Sequence, residues 1–215
     1  MKKSFFIEFI GMPGCGKSYY SNKIKKLLKN EGLISNHYDD LSKIKKFLFF
    51  LLFLFTNFKL TLLNIIYFYT QTSKSNEFAK HLYYFKNESA LRIYHKINTK
   101  RVINSEGFRH RSIYFIYENL KKNSNFSYKE YLNLLPKIDL LIYIKSSKKN
   151  NIDRTKKRKK QYKYNKNEIE NYDIKENIIE KIVKESKKKV NIVYIRNDHE
   201  VKNINIIKKK IKNLC

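Results

Sequence analysis

Apolar and polar residues follow one another along the chain in blocks that predict strands separated by helices. Short runs dense in apolar residues, as in the buried strands of a parallel sheet, occupy 4–10, 33–38, 101–105, 138–144 and 190–196. Segments with helical character lie between and after them, at 17–30, 41–97, 109–121, 128–135, 168–189 and the C-terminal end. Strands that alternate with helical crossovers are typical of a sheet covered on both faces. The pattern therefore predicts an α/β fold with a five-stranded parallel sheet and helices on both faces.

The length and composition fit a single domain over 1–215. With 42% hydrophobic residues the chain can bury a core, which argues against a disordered tail. Its two cysteines, Cys15 and Cys215, have neither metal-ligand nor disulfide-framework spacing. The apolar N-terminal run is short and is interrupted by Glu8, unlike a signal peptide. These features together predict a cytoplasmic protein.

The formal net charge of +28 favours anionic ligands such as nucleotides, phosphates, nucleic acid or acidic lipid. The bias toward lysine, asparagine and isoleucine is also the codon bias of an AT-rich genome. The charge alone therefore does not identify which of these ligands the protein binds.

The most apolar segment, 47–70, carries one charge, Lys59, over a length that matches a bilayer. Thr56, Asn57 and Asn64 lie near its middle, where polar groups are costly in lipid. The favoured interpretation is a buried helix pair with a turn between Thr56 and Asn57. Contact with a membrane surface and a true membrane span are left open.

The loop after the first strand fits the Walker A pattern G-x-x-x-x-G-K-[ST] in full, with a strand before it and an amphipathic helix after it. Glycines let backbone N–H groups close around phosphate oxygens, and the helix N-terminus favours the same charge. In such a loop the lysine reaches the β- and γ-phosphates and the hydroxyl binds Mg²⁺. The sequence therefore predicts a P-loop NTPase fold that binds ATP and Mg²⁺ through Gly11, Met12, Pro13, Gly14, Cys15, Gly16, Lys17, Ser18 and Tyr19.

Several classes of P-loop protein are disfavoured by missing motifs. A GTPase needs D-x-x-G after the third strand and N-K-x-D on a later strand, and neither motif is present. The segment 165–168 comes nearest to N-K-x-D, but it lies in a polar segment and not at a strand end. Neither an ABC-type signature nor a helicase-like second module is present. A small kinase or phosphotransferase remains.

Three further segments resemble thymidylate-kinase-like P-loop kinases of the nucleoside and nucleotide kinase group. They are VINSEGFRHR at 102–111, LPKIDLLIYI at 135–144 and DRTKKR at 153–158. The resemblance implies an acceptor-binding helical region at 41–97 and a basic lid at 146–165. One departure is Ser105, which stands where these kinases usually have an aspartate.

The candidate catalytic residues are Lys17 and four residues outside the loop. Glu106 ends the third predicted strand, where open α/β sheets place ligands, and it is assigned to water-mediated Mg²⁺ binding or to accepting the acceptor's proton. Arg111 is assigned to an acceptor phosphate, with Arg109 as its competitor. Arg154 and Arg158 share one helix face and are assigned to the lid, because a planar guanidinium grips phosphate. The alternatives are a helix cap for Glu106 and solvated surface positions for the arginines.

Two aspartates, Asp39 and Asp40, follow the second predicted strand close to the expected acceptor pocket. An N-cap of the next helix is the favoured role for them, and a bond to an acceptor hydroxyl is the alternative.

The function that these features predict is ATP- and Mg²⁺-dependent transfer of a γ-phosphoryl group to a small acceptor. A nucleotide, a nucleoside and a sugar-like metabolite all fit as acceptors. The alternatives are an NTP-binding regulatory or interaction protein and a nucleic-acid-associated ATPase. A homodimer and a peripheral membrane contact through 47–70 are left open, and nucleic acid is the less favoured partner.

Overall fold

A computed structural model of the chain describes residues 4–30, 41–71, 75–98, 101–121, 127–157, 169–198 and 204–214, with backbone alone at 67–71, 75–81 and 121. In chain order the elements are β1 (Phe5–Ile10), α1 (Lys17–Asn30), α2 (Lys43–Thr56), α3 (Phe58–Gln71), α4 (Ser75–Asn98), β2 (Arg101–Asn104), α5 (Phe108–Lys121), α6 (Tyr128–Leu134), β3 (Leu140–Lys145), α7 (Lys148–Lys156), α8 (Tyr172–Ser186), β4 (Asn191–Arg196) and α9 (Ile204–Lys212).

The strands form one parallel sheet in the order β2-β1-β3-β4. Every residue of β1 is buried, because this strand lies between two others and beneath helices on both faces. Four strands are therefore seen in the described residues, and the strand predicted at 33–38 lies outside them. β3 starts two residues later than predicted, because the Asp139 side chain accepts a bond from Phe6 N at 2.7 Å.

Alternate side chains of β1 enter two separate cores, as the pleat of a strand requires. Phe5, Ile7 and Phe9 pack with α1 and α9, whereas Phe6 and Ile10 pack with helices of the opposite face. The predicted α/β architecture, with helices on both faces of a parallel sheet, is confirmed.

The helix pair α2–α3 contradicts the prediction of a buried segment. The predicted turn is present, because α2 ends at Thr56 and α3 begins at Phe58 after a bend of 100°. Phe53 and Leu60 are buried, but most of the large apolar side chains around them are exposed. Among the described residues, no helix taken singly has the length and apolarity of a membrane span; only α2 together with 58–66 meets those criteria, as a bent pair.

Candidate nucleotide-binding site

The loop between β1 and α1 has a backbone conformation that depends on glycine. Gly11, Gly14 and Gly16 have φ angles of +155°, +83° and +103°, values that side chains with a Cβ adopt only under strain. Space is also lacking, since a Cβ on Gly14 would overlap the Asn151 carbonyl and one on Gly16 would lie 2.5 Å from the Asn197 amide nitrogen. The three glycines are therefore required both by the path of the loop and by the elements packed on it.

Lys17 lies at the start of α1 with its side chain folded back over the loop. It is buried, and its Nζ donates to the carbonyl oxygens of Gly11 at 2.9 Å and of Met12 at 3.1 Å. An ammonium has three N–H groups, so these two bonds fix the charge at the loop and one donor is left for a ligand oxygen. Ser18 follows in the first turn and is exposed.

Asn197, the residue after β4, connects the loop to α7. Its amide donates to the Cys15 carbonyl at 2.7 Å, and its own carbonyl accepts from Arg154 at 3.0 Å. Arg154 also donates to the Ser146 hydroxyl at 3.3 Å. The predicted lid arginine Arg154 is thus held beside the loop, while Arg158 lies outside the described residues. The sequence reasoning missed Asn197; a polar residue at the carboxyl end of a predicted strand was the available signal.

Glu106 and Arg111 form an ion pair at the carboxyl end of β2. The guanidinium donates to the Glu106 carboxylate at 2.9 Å and stacks over the Tyr84 ring, 3.9 Å from its centre. The side chains remain 41% and 31% exposed, respectively. The structure therefore brings the two predicted residues together and leaves both open to solvent.

Arg109, the competitor of Arg111, points into the protein. It is buried and donates to the Pro136 carbonyl at 3.1 Å, and its guanidinium lies 3.6 Å from the Glu8 carboxylate. Burial lowers the pKa of Arg109 to about 10. Arg111 is thus the one of the two that a ligand at the sheet edge can reach.

A buried polar network fixes α4 and α5 against β1 and β2. The fully buried Glu8 pairs with Arg92 and accepts the Arg109 backbone N–H at 3.2 Å. Arg92 also donates to Glu88 at 3.2 Å, and Glu88 accepts from Asn104. Burial raises the pKa of Glu88 to about 8. The sequence reasoning treated Glu8 only as a break in an apolar run and did not single out Arg92 or Glu88.

His110, in the first turn of α5, shows that this turn lies close to the loop. Its pKa is well below the usual range, first because of burial and then because of the charges of Lys17 and Arg111. The imidazole is therefore neutral at pH 7, and its buried Nδ1 has no hydrogen-bond partner among the described residues. The loop, His110 and the Glu106–Arg111 pair thus share the carboxyl edge of the neighbouring strands β1 and β2, the edge where open α/β sheets bind ligands.

Two oxygen-bearing side chains, Ser18 and Glu106, are the candidate Mg²⁺ ligands. No group of three or more His, Cys, Asp or Glu side chains in the described part of the chain is placed to hold a metal by itself. Mg²⁺ in phosphoryl-transfer sites is instead bound by one or two protein oxygens together with phosphates and water. The exposed Ser18 hydroxyl and the half-exposed Glu106 carboxylate suit that arrangement.

The parallel sheet, with an inner strand that leads through a glycine loop into a helix, has the arrangement of a P-loop fold. No protein-family model and no curated protein matches the sequence. Solved structures of deoxyadenosine kinase from M. mycoides do match, over 97% of this chain and 99% of theirs. The structure with products dCMP and a flexible dCDP has a TM-score of 0.58 at 17% identity. Those with dATP and dCTP have TM-scores of 0.54 and 0.51 at 18% and 19% identity. At the level of fold, the resemblance to P-loop nucleoside and nucleotide kinases is confirmed.

Proposed function

We propose that the chain is an ATP- and Mg²⁺-dependent kinase that transfers the γ-phosphoryl group to a small acceptor, with deoxynucleosides and nucleotides as the first candidates. The observation that carries the proposal is the glycine loop with Lys17 fixed over it at 2.9 Å, on the same sheet edge as Glu106 and Arg111. The fold likeness to a deoxyadenosine kinase supports this choice of acceptors. A sugar-like metabolite also fits the site chemistry.

The donor side binds the triphosphate by charge and backbone geometry. The loop amides and the N-terminus of α1 surround the phosphates, and Lys17 neutralises the β- and γ-oxygens. The Ser18 hydroxyl would hold Mg²⁺ together with the phosphates, and the ion would supply further neutralisation of charge. Arg154, held beside the loop by Asn197, adds a guanidinium. We assign Arg158 to the same lid.

The acceptor side supplies a base and an anion-binding group. In the reaction, an acceptor oxygen forms a bond to the γ-phosphorus while the bond from that phosphorus to the β,γ-bridging oxygen breaks, so that ADP leaves. Glu106 takes the proton of the acceptor hydroxyl, and Arg111 holds an acceptor phosphate when there is one. Catalysis is then chiefly positioning and electrostatic stabilisation.

An ADP-release screen tests the proposal. The wild-type chain is assayed with MgATP against a panel of deoxynucleosides, nucleosides, nucleotides and sugars. We expect at least one acceptor to raise ADP release about tenfold or more above the acceptor-free rate. Glu106→Gln should lower that rate about 100-fold, the usual size of a general-base effect. Glu130→Gln, at an exposed acidic residue of α6, is the matched control and should keep the wild-type rate.

Two outcomes of the screen contradict the proposal. If ATP binds but no acceptor raises turnover, an NTP-binding regulatory protein is favoured. If single-stranded DNA or RNA stimulates ADP release and small acceptors do not, a nucleic-acid-associated ATPase is favoured.

A further inference from the structure

Among the side chains of α3 that the structure describes, 58–66, two polar ones lie inside and several apolar ones lie outside. Thr61 and Asn64 are each only 5% exposed, and the Asn64 amide donates to the Leu60 carbonyl at 2.7 Å. Leu62 and Ile65 on the same helix are exposed. A helix that faces water shows the reverse distribution. The outer side of α3 is therefore suited to an apolar surrounding.

The helix α2 presents a second apolar stripe. Ile44, Leu48, Leu52 and Phe55 are spaced by four, four and three residues, so they share one helix face, and all four are exposed. The opposite face is anchored, because Phe53 is buried and stacks on Phe108, with ring centres 5.6 Å apart. α2 is thus fixed to the protein by one side while its other side lies in solvent.

Together the two helices form a large exposed apolar surface, which we call the docking face. Its members are Ile44, Leu48, Leu52, Phe55, Phe58, Leu62 and Ile65. Phe55 and Phe58 flank the bend and are 79% and 65% exposed. Exposed apolar patches of this extent mark surfaces that bind a protein or a membrane.

The positive charges around the docking face favour an anionic partner. Residues 43–71 contain four lysines and neither aspartate nor glutamate, and Lys43, Lys45 and Lys59 are exposed. A second copy of the chain would place the same positive residues against themselves, because a two-fold interface uses the same patch on both subunits. The net charge of +28 adds to that repulsion.

We propose that α2 and α3 dock on the surface of a lipid bilayer that contains anionic lipids. Each helix begins and ends within 14 residues, about 21 Å, which is shorter than the hydrocarbon core of about 30 Å. The docking face enters the boundary between headgroups and acyl chains, and the lysines pair with lipid phosphates. This surface goes beyond the proposed function, which concerns the glycine loop and the carboxyl edge of β1 and β2.

The absence of tryptophan from the chain gives a direct test of insertion. A single Phe55→Trp substitution provides a fluorescent reporter on the docking face, and Tyr194→Trp, at an exposed residue of β4, provides a matched control. We expect the Phe55→Trp emission to shift to the blue with vesicles of phosphatidylcholine and phosphatidylglycerol, and much less with phosphatidylcholine alone. Tyr194→Trp should not shift. An unchanged Phe55→Trp spectrum with both vesicles overturns the proposal.

Co-sedimentation with the same vesicles separates the apolar and charged contributions. Phe55→Ser with Phe58→Ser should weaken binding at least about tenfold through the loss of two buried aromatic side chains. Its control, Ile174→Ser with Ile206→Ser, removes two exposed apolar residues elsewhere and should bind like the wild type. Lys43→Gln with Lys45→Gln should weaken binding about 25-fold, roughly fivefold per lysine, whereas Lys187→Gln with Lys210→Gln at other exposed positions should not.

The far-ultraviolet circular dichroism of every variant establishes that it is folded before binding is compared. Equal binding of the docking-face variants and their controls overturns the proposal. So does a wild-type chain that sediments as a dimer without vesicles and becomes a monomer on Phe55→Ser with Phe58→Ser, since the docking face would then cover a second copy.

Discussion

At the scale of single residues, Glu88 is an acidic group whose surroundings disfavour its charge. It is buried on α4, and burial raises its pKa to about 8 despite its bond to Asn104. Arg92 lies 3.2 Å away but also pairs with Glu8, so one guanidinium serves two carboxylates. A buried charge without a partner of its own is costly. The ionisation of Glu88 should therefore be visible in the stability of the protein.

We expect the free energy of unfolding to fall as the pH rises toward 8. The carboxyl has its ordinary pKa of 4.5 in the unfolded chain and about 8 in the folded one, so the folded state binds more protons in this window. The slope due to Glu88 is up to about 1.4 kcal/mol per pH unit. The pKa of His110 is lowered from 6.5, so its protonation differs between the folded and unfolded states only below about pH 6.5. His110 therefore does not contribute to the slope above that pH.

Urea unfolding at about pH 7 and about pH 8.5 measures this effect. Glu88→Gln should lose much of the pH dependence that the wild type shows, and Glu130→Gln should keep it. The same slope in all three proteins would mean that Glu88 is already ionised at pH 7.

The contrast between Arg109 and Arg111 shows how far single residues could be assigned from sequence. Both follow Glu106 within five residues, and the sequence makes them competitors for one role. Side chains two positions apart on a helix point in directions that differ by about 200°. Arg109 therefore points inward to Glu8, and Arg111 points to the sheet edge. Which of the two points inward depends on how α5 rests on the sheet, and the local sequence does not contain that information.

At the scale of elements, the glycine loop, α1 and α7 act as one packed unit. A Cβ on Gly14 would meet the Asn151 carbonyl, which is backbone of α7, and the Thr155 hydroxyl at 2.7 Å. The backbone of Gly14 is also left-handed at +83°. Neither the loop nor α7 has room to absorb a side chain without moving.

Gly14→Ala should therefore weaken MgATP binding while it leaves the sheet intact. Strain of about 1–3 kcal/mol at the substituted residue and the displaced loop should raise the Kd for MgATP at least about tenfold. Isothermal titration calorimetry gives the affinity, and thermal unfolding followed by circular dichroism shows that the fold persists. An unchanged Kd would show that the amides of this loop do not surround the phosphates.

Strands and helices were predictable from local pattern, but what covers each helix was not. The parallel strands at 101–105 and 190–196 appear within one residue of their predicted ends, because their apolar runs have one explanation, burial in a sheet. The apolar segment 47–70 has two possible explanations, burial in the protein and exposure to lipid, and its residues alone do not decide between them. Likewise Glu8 and Arg92 are 84 residues apart, so only the fold reveals that they pair.

At the scale of the whole molecule, the net charge of +28 favours two kinds of binding. A positive field raises the local concentration of ATP near the loop, and it attracts the chain to an anionic bilayer. The two kinds of binding are separable, because the loop lies at the carboxyl edge of β1 while the docking face belongs to α2 and α3. Substitutions in one should leave the other unchanged.

Phosphoryl transfer to a small acceptor can be tested by following the γ-phosphate itself. The chain is incubated with Mg²⁺, γ-³²P-labelled ATP and the best acceptor of the screen, and the products are separated by chromatography. We expect the label to appear in the phosphorylated acceptor, and Lys17→Met to lower that rate about 100-fold or more, the usual cost of losing a catalytic electrostatic group. Label released only as inorganic phosphate, or transfer by Lys17→Met at the wild-type rate, would contradict the claim.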